Sequence, residues 1–329
     1  MLKVGVLRGG PSDSYDTSLQ SGDAILRALR TNPHVEAIDL LLTKDRILHR
    51  KGVPISLEKL SREVDLVWNT LHGYYGEDGK IQSLFEKFGI KHTGPEVGPA
   101  VGAINKKIAK EYLALHGVKS PLYVVVDTRN IDNLEPEQFV HNELVRINRS
   151  IPPPWIAKPL SGGMSQGIVL ARSLPELSFA IAKALESEED LLVEEYIEGR
   201  HVSVGVIDNF RNEDLYSLPP AEAKLFGKGK IVDHNMRSVG TCYTVPCNMN
   251  ERQKRELMDL AKLAHTALGL RHYSESDFVV HPKRGIYYLE TDAIPSLSKG
   301  SHFDLALQSV GSNMEDFGKH IVHLAINLK

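Results

Sequence analysis

The sequence predicts a mixed α/β and α+β protein of two or three packed units that opens on a parallel sheet. Three observations carry that expectation. The chain has 329 residues, against about 150 residues for an average domain. Hydrophobic residues make up 42% and charged residues 25%, the balance of a chain that buries a core rather than of a disordered or fibrous one. The first hundred residues alternate short apolar runs with helical periodicity, the pattern of strands joined by crossover helices.

In chain order, Val4 to Leu7 reads as a strand, and Leu19, Ile25, Ala28 and Leu29 fall at helical spacing. Ile38 to Leu42 and Asp65 to Asn69 read as further strands of the same sheet. Thr93-Gly94-Pro95 and Gly98-Pro99 punctuate the chain before a helix from Asn105 to His116, which places boundaries for units 1–104, 105–197 and 198–329. The second unit takes an extended Leu122 to Val126, a strand Trp155 to Lys158 opened by three prolines, a loop Ser161 to Gly167, a helix Leu174 to Leu185 and a strand Leu191 to Ile197. The third takes a strand His201 to Ile207, a polar excursion to Arg237, a helix Glu251 to Leu268, a hairpin Asp277 to Asp292 and a closing helix from Met314. No internal repeat interrupts this order.

Charge and cysteine content exclude several function classes. The net charge of −3 lacks the basic field of a nucleic-acid binder. Two cysteines, Cys242 and Cys247, are too few for a secreted disulfide scaffold. No apolar run approaches the roughly 20 residues of a membrane span, and Met1 to Leu7 lacks the apolar stretch of a signal peptide. A cytoplasmic protein without membrane or nucleic-acid partners is the expectation.

The hairpin carries the strongest chemical signal. With its turn centred between Lys283 and Arg284, Asp277 faces Glu290 and Glu275 faces Asp292. Alternation puts Glu290 and Asp292 on one face with Asp277 beside them. Like charges so placed ask for a divalent cation, and hard oxygens suit Mg²⁺ shared with phosphates; a solvated acidic edge is the other reading. Ser161 to Gly167 follows Lys158 at a strand end, either as a phosphate cradle or as a plain flexible turn. Lysine, glycine loop and carboxylates together make the inventory of an ATP site.

A third stretch is more specific. His72-Gly73-Tyr74-Tyr75-Gly76-Glu77-Asp78-Gly79-Lys80-Ile81-Gln82 resembles the H-G-x-x-G-E-D-G-x-x-Q signature of the D-alanine–D-alanine ligases of the ATP-grasp superfamily. The resemblance runs through nearly the whole chain, from Gly9-Gly10 and Ser18 through Thr93-Gly94 to Glu290 and Pro295 to Ser301. It implies an ATP-grasp fold behind a Rossmann-like N-terminal domain, and a homodimer. It further implies a ligase that phosphorylates one amino acid with ATP and Mg²⁺ (or Mn²⁺) and then joins it to a second, D-alanine to D-alanine for peptidoglycan precursors.

Carried over by position, Lys106 and Lys158 resemble the phosphate-binding lysines. Gly163, Ser165 and Gly167 match the loop over the nucleotide, and Glu194, Glu195, Tyr196 and Ile197 the adenine strand. Asp277, Glu290 and Asp292 match the metal positions, Asp292 replacing the usual Asn. His72 and Ser301 match substrate contacts, Ser301 at the second substrate's carboxylate; Ser18, Arg237 and Ser301 are the implied catalytic residues. The departures cluster on the amino-acid side. Ser14 stands where the family has a glutamate for the first substrate's ammonium, with Asp13 and Asp16 as substitutes nearby. Met164 and Ser238 replace that glutamate's serine and tyrosine partners, and His201 replaces a glutamate at the ribose. Glu275 replaces the arginine that steadies the oxyanion, which predicts a raised barrier unless positive charge comes from elsewhere, for example Arg237, with Glu222-Ala223-Lys224 as the rival alignment. Two classes stay open: a ligase, for D-alanine or another pair, and an ATP-grasp binding protein that has lost ligation. His320 and His323 read as an exposed pair on the last helix rather than a metal site.

Overall fold

A computed structural model describes residues 1–129, 131, 134–163, 167–224 and 243–327. The N-terminal stretch forms a five-stranded sheet ordered β4-β3-β2-β1-β5, from β1 (Leu2–Gly9), β2 (Val35–Leu42), β3 (Leu48–Arg50), β4 (Val53–Pro54) and β5 (Leu66–Asn69). β1 runs parallel to β2 and β5, as the alternation predicts; the short antiparallel edge β3–β4 carries no such pattern. Helices α1 (Tyr15–Arg30), α2 (Leu57–Ser61) and α3 (Lys80–Lys87) connect these strands and lead out of the sheet.

α4 (Val97–Ile104) forms across the Gly98-Pro99 pair that reads as punctuation. Pro99 sits in the first turn, where a helix has no partner for the backbone N–H that proline lacks. α5 (Lys106–Ala114) follows at once, capped by Asn105, whose side chain accepts from Ile108 N–H at 3.1 Å.

The second sheet, ordered β6-β9-β7-β8, is antiparallel throughout and comprises β6 (Tyr123–Val126), β7 (Trp155–Pro159), β8 (Val169–Ala171) and β9 (Leu191–Glu195). α6 (Pro136–Ser150), an element given no place by the sequence reading, and α7 (Leu174–Glu186) cover it. The third sheet runs β13-β12-β10-β14-β15 with β11 beside β10. Its strands are β10 (Arg200–Asp208), β11 (Leu215–Ser217), β12 (Ala221–Ala223), β13 (Tyr243–Thr244), β14 (Tyr273–His281) and β15 (Gly285–Asp292). α8 (Glu251–Ala267) packs on it, and α9 (His302–Ser309) and α10 (Met314–Asn327) close the described chain.

Two packing facts position the site. α5 turns Ala109 and Leu113 into the core of the third sheet, with Phe278 and Tyr288. α9 and α10 send Phe303, Phe317 and Ile321 back into the first sheet's core, against Val4, Val6 and Trp68. The first and last stretches of the chain therefore share one core. Among the described residues no helix is long and apolar enough to cross a membrane. His320 is half-buried rather than exposed, its Nε2–H donating to the Asp208 carbonyl at 2.7 Å. Cys247 is buried and unbridged, while Cys242 lies outside the described residues.

Three buried histidines make stability pH-dependent. Burial lowers His72 and His92 to about 4 and His272 to about 3, from an ordinary 6.5, with Arg271 adding to the effect at the last two. Burial raises Glu77 from 4.5 to about 7, against the backbone N–H groups of Gly73 and Ile294. Between about pH 4.5 and 6.5 the unfolded chain therefore binds three more protons on the histidines, and the folded chain one more on Glu77. The net difference of two predicts stability rising with pH by roughly 2–3 kcal/mol per unit across that window. Urea unfolding at intervals from pH 4.5 to 7 measures it, and a flat profile contradicts the burial argument.

Candidate active site

The hairpin aligns its acids by a compensation. At the turn, His281 pairs with Gly285, Val280 with Ile286 and Phe278 with Tyr288, one residue off the predicted register. A bulge between Asp277 and Phe278, with Leu289 as the extra residue, restores it, so that Asp277 pairs with Glu290 and Glu275 with Asp292. Asp277 is oriented by Ser203, directly opposite on β10, whose hydroxyl donates to Asp277 Oδ1 at 2.5 Å. Among the described residues no three acidic, histidine or cysteine side chains close into a metal cage. Asp277 and Glu290, paired across the ladder, are hard oxygen donors of the kind that suits Mg²⁺, which binds through one or two carboxylates and completes its shell with water and phosphate oxygens.

Lysines surround these acids. Lys106 Nζ lies 3.3 Å from Glu290 Oε2 and also donates to the Gly162 carbonyl, tying α5 to the glycine loop. Lys158 Nζ is 2.9 Å from Glu194 Oε2, and Lys110 Nζ is 2.8 Å from Glu194 Oε1. Lys110 is 1% and Glu194 2% exposed, so this triad is a buried charge network rather than a surface pair. Burial pulls Lys110 down to about 8 against Glu194. Burial also opposes the charge on Lys158, but Glu194, Glu290 and Asp277 together hold it above the ordinary lysine range. Lys110 is absent from the sequence reading, although its four-residue spacing from Lys106 on one helix face is a signal for it.

Two joined clefts meet at Lys158 and Glu290. One, of about 790 Å³, lies between the second and third sheets, walled by Ile156, Ile168, Val202, Phe278, Val279 and Leu289 and edged by Glu194, Glu195, Tyr196, Ile197 and His201. Its apolar walls and sparse polar edge fit a heteroaromatic base. The other, of about 2030 Å³, reaches Ser12, Asp13, Ser14, Gly73 and Tyr74 of the first unit past Lys106, Gly163 and Gly167. Gly167 has φ +68° and Pro159 only 3.0 Å from where a Cβ would stand, so the loop's return requires glycine. Asp292 borders a smaller recess beside Gly163 and Glu77. Ser165 and Arg237, like Met164 and Ser238, lie outside the described residues.

Several residues expected at the amino-acid side occupy other roles. Ser18 is fully buried, its Oγ accepting from Gly9 N–H at 2.8 Å; it holds the glycine turn and does not reach either cleft. Asp16 is exposed on the first turn of α1 and lines neither cleft, because the helix turns it outward; Asp13 lines the wider one. His72 has both ring nitrogens engaged. Nδ1–H donates to the Ile294 carbonyl at 2.9 Å, and Nε2 accepts from Ser21 Oγ at 3.0 Å, which sets a neutral tautomer. His72 thus clamps the first unit to the Ile294 segment. Ser301 caps α9, its Oγ accepting from Asp304 N–H at 3.2 Å with its own proton left to donate.

Glu275 corrects the expectation of an opposing charge. It is 3% exposed and paired through Oε2 with His302 Nδ1, and His302, not Glu275, lines the nucleotide cleft. Glu77 is likewise buried; it accepts from Gly73 N–H at 2.6 Å and Ile294 N–H at 3.3 Å, closing the signature loop on itself.

Comparison with known proteins gives the family and the fold. Residues 43–95 match the family profile of the D-ala D-ala ligase N-terminus, and residues 116–323 that of the D-ala D-ala ligase C-terminus. The D-alanine–D-alanine ligase of Geobacter sulfurreducens is 32% identical over 322 residues, 97% of this chain and 93% of that enzyme. That of Carboxydothermus hydrogenoformans is 30% identical over 330 residues, 99% and 98% of the two chains. Among solved structures, the VanG D-Ala:D-Ser ligase from Enterococcus faecalis superposes with a TM-score of 0.82 at 23% identity, covering 98% of this chain and 99% of that one. A Bacillus anthracis D-alanine–D-alanine ligase complexed with ATP gives 0.77 at 19% identity, covering 99% and 98%. Both likenesses speak to the fold, which is ATP-grasp.

Proposed function

The chain belongs to the D-alanine–D-alanine ligase family, and we propose that it joins D-alanine to D-alanine through an acylphosphate, at the junction of the two clefts. The observation that carries the reading is the meeting of Lys106, Lys158, Asp277 and Glu290 at that junction. Lys158 and Lys106 would hold the phosphates, and the apolar walls of the smaller cleft the adenine. Asp277 and Glu290, with Asp292 further along the same strand, would offer the carboxylates for Mg²⁺, which when bound supplies charge neutralisation at the transferring phosphoryl group. The first amino acid, its ammonium seated in the wider cleft near Ser14 and Asp13, would attack the γ-phosphate with its carboxylate and displace ADP. Ser301 would contact the carboxylate of the second amino acid, whose amine would attack the acyl carbon and displace phosphate. Positioning and electrostatics carry most of this work, which is why no reactive nucleophile of the protein is needed. A homodimer in the cytoplasm belongs to the same reading.

Phosphate release from ATP and Mg²⁺ with D- and L-amino acids, singly and in pairs, tests it, with the product identified by mass. D-alanine is expected to stimulate release and to appear as its dipeptide. Turnover with another pair keeps the mechanism and changes the substrate, an outcome favoured by Ser14 where the family carries glutamate. ATP binding without release under any pair would make the chain a nucleotide-binding protein.

A further inference from the structure

We infer that Lys110 is a positioning residue for the phosphate site: it balances the charge of Glu194 from behind and so leaves the charge of Lys158 to the nucleotide. The inference rests on the reading above of Lys158 as a phosphate-binding lysine. Lys158 lines both clefts, and its Nζ lies 2.9 Å from Glu194 Oε2. Taken alone that pair is neutral, and a buried carboxylate at contact distance competes with a phosphate for the same ammonium. Lys110 changes the sum. Its Nζ lies 2.8 Å from the other carboxylate oxygen, Oε1, so the three side chains together carry one net positive charge. Against burial, the two lysines hold Glu194 below the ordinary carboxylate range, and burial lowers Lys110 only to about 8, so it keeps its proton at pH 7.

The placement of Lys110 shows how that charge is used. Its side chain is 1% exposed on α5 and reaches across to β15, where Nζ donates to the Tyr288 carbonyl at 3.4 Å and lies 5.6 Å from the Tyr288 ring. Lys110 lines neither cleft. Its effect on a nucleotide therefore passes through Glu194 and Lys158. Burying an ammonium is costly, and a buried ion pair is often no more stabilising than apolar residues of the same volume. A second lysine on a carboxylate that already has one is accounted for by the charge it lends to the cleft.

Affinities of the full chain for MgADP and for adenosine separate the phosphates from the base. Lys110→Met keeps the length of the side chain and leaves Glu194 paired with Lys158. In this variant MgADP is expected to bind about tenfold more weakly, because one positive charge behind the phosphates is gone. Adenosine is expected to bind within about twofold of the parent chain, because the apolar walls are untouched. Removing the carboxylate as well restores the sum. Lys110→Met combined with Glu194→Gln leaves Lys158 as a single positive charge, and the ratio of the two affinities is expected to return to within about threefold of the parent. A lysine that only fills space would weaken both ligands alike, and the second substitution would add to the damage.

A ratio changed by less than about threefold in Lys110→Met, an equal loss for both ligands, or no recovery in the double variant overturns the role of Lys110 and leaves the ligase reading intact. A parent chain that binds MgADP no more tightly than adenosine overturns the phosphate assignment of Lys158 itself.

Discussion

Replacing Glu194 with alanine is expected to destabilise the fold by about 3–5 kcal/mol, because it strands two ammonium groups in the interior. Lys110 and Lys158 approach its two oxygens at 2.8 and 2.9 Å, and all three side chains are at most 5% exposed. Burial opposes ionisation of Glu194, yet the two lysines together hold it below the ordinary carboxylate range. A carboxyl with a depressed folded value contributes stability that is present above its unfolded value near 4.5 and is lost as the pH falls through the folded one. This acid-labile contribution lies below the histidine window of about pH 4.5–6.5, so the two are separable by titration. Urea unfolding at pH 7 compares parent and variant directly. A loss under about 1 kcal/mol would mean that water reaches the lysines and that the triad is not a buried network.

Glu290→Gln is the second large expectation, read in activity rather than stability. The amide keeps the shape but removes the charge that faces Lys106 at 3.3 Å and that pairs across the ladder with Asp277. Because phosphoryl transfer depends on charge neutralisation around the transferring group, kcat/KM for ATP is expected to fall by about 10³. Glu58→Gln, which removes only an exposed pair with Arg62, is expected to change nothing measurable. Phosphate release at saturating amino acid reads both variants. Parental activity in Glu290→Gln would remove this carboxylate from the proposed metal and phosphate set.

The legibility of the site follows from where each constraint originates. Asp277, Glu290 and Asp292 were readable because strand alternation and a short turn are local rules. Their register was nevertheless reached through two offsetting shifts, a differently centred turn and a bulge at Asp277/Phe278. The signature loop from His72 to Gln82 was readable as a resemblance, but what His72 does was not. Its nitrogens are taken by Ile294, 222 residues away, and Ser21, 51 residues away. Ser18 and Asp16 misled for the same reason, since proximity in sequence to the first loop says nothing about which way α1 turns them.

α6 and Lys110 mark a different limit. α6 carries Pro136 at its start and buries Phe139, Val140 and Ile147, signals as good as those of the helices recognised. Lys110 reads as one more charged residue until α5 is seen to pack on the third sheet, where the helix face bearing Ala109 and Leu113 drives it into the interior. Glu275 is the clearest case. In sequence it opposes an oxyanion; in the fold its side chain is turned to His302, 27 residues on.

The sequence by itself determined the parallel opening sheet, the acidic hairpin, the glycine loop after Lys158 and the family signature. The sheet, the hairpin and the loop are written in periodicity and spacing along the chain, which local geometry enforces, and the signature is legible as a resemblance. Only the tertiary structure decided that Glu194 sits between two lysines, that His72 is a clamp and that Glu275 pairs with His302. Those roles depend on which buried polar groups meet across sheets, and a buried charge must find its partner wherever packing brings one.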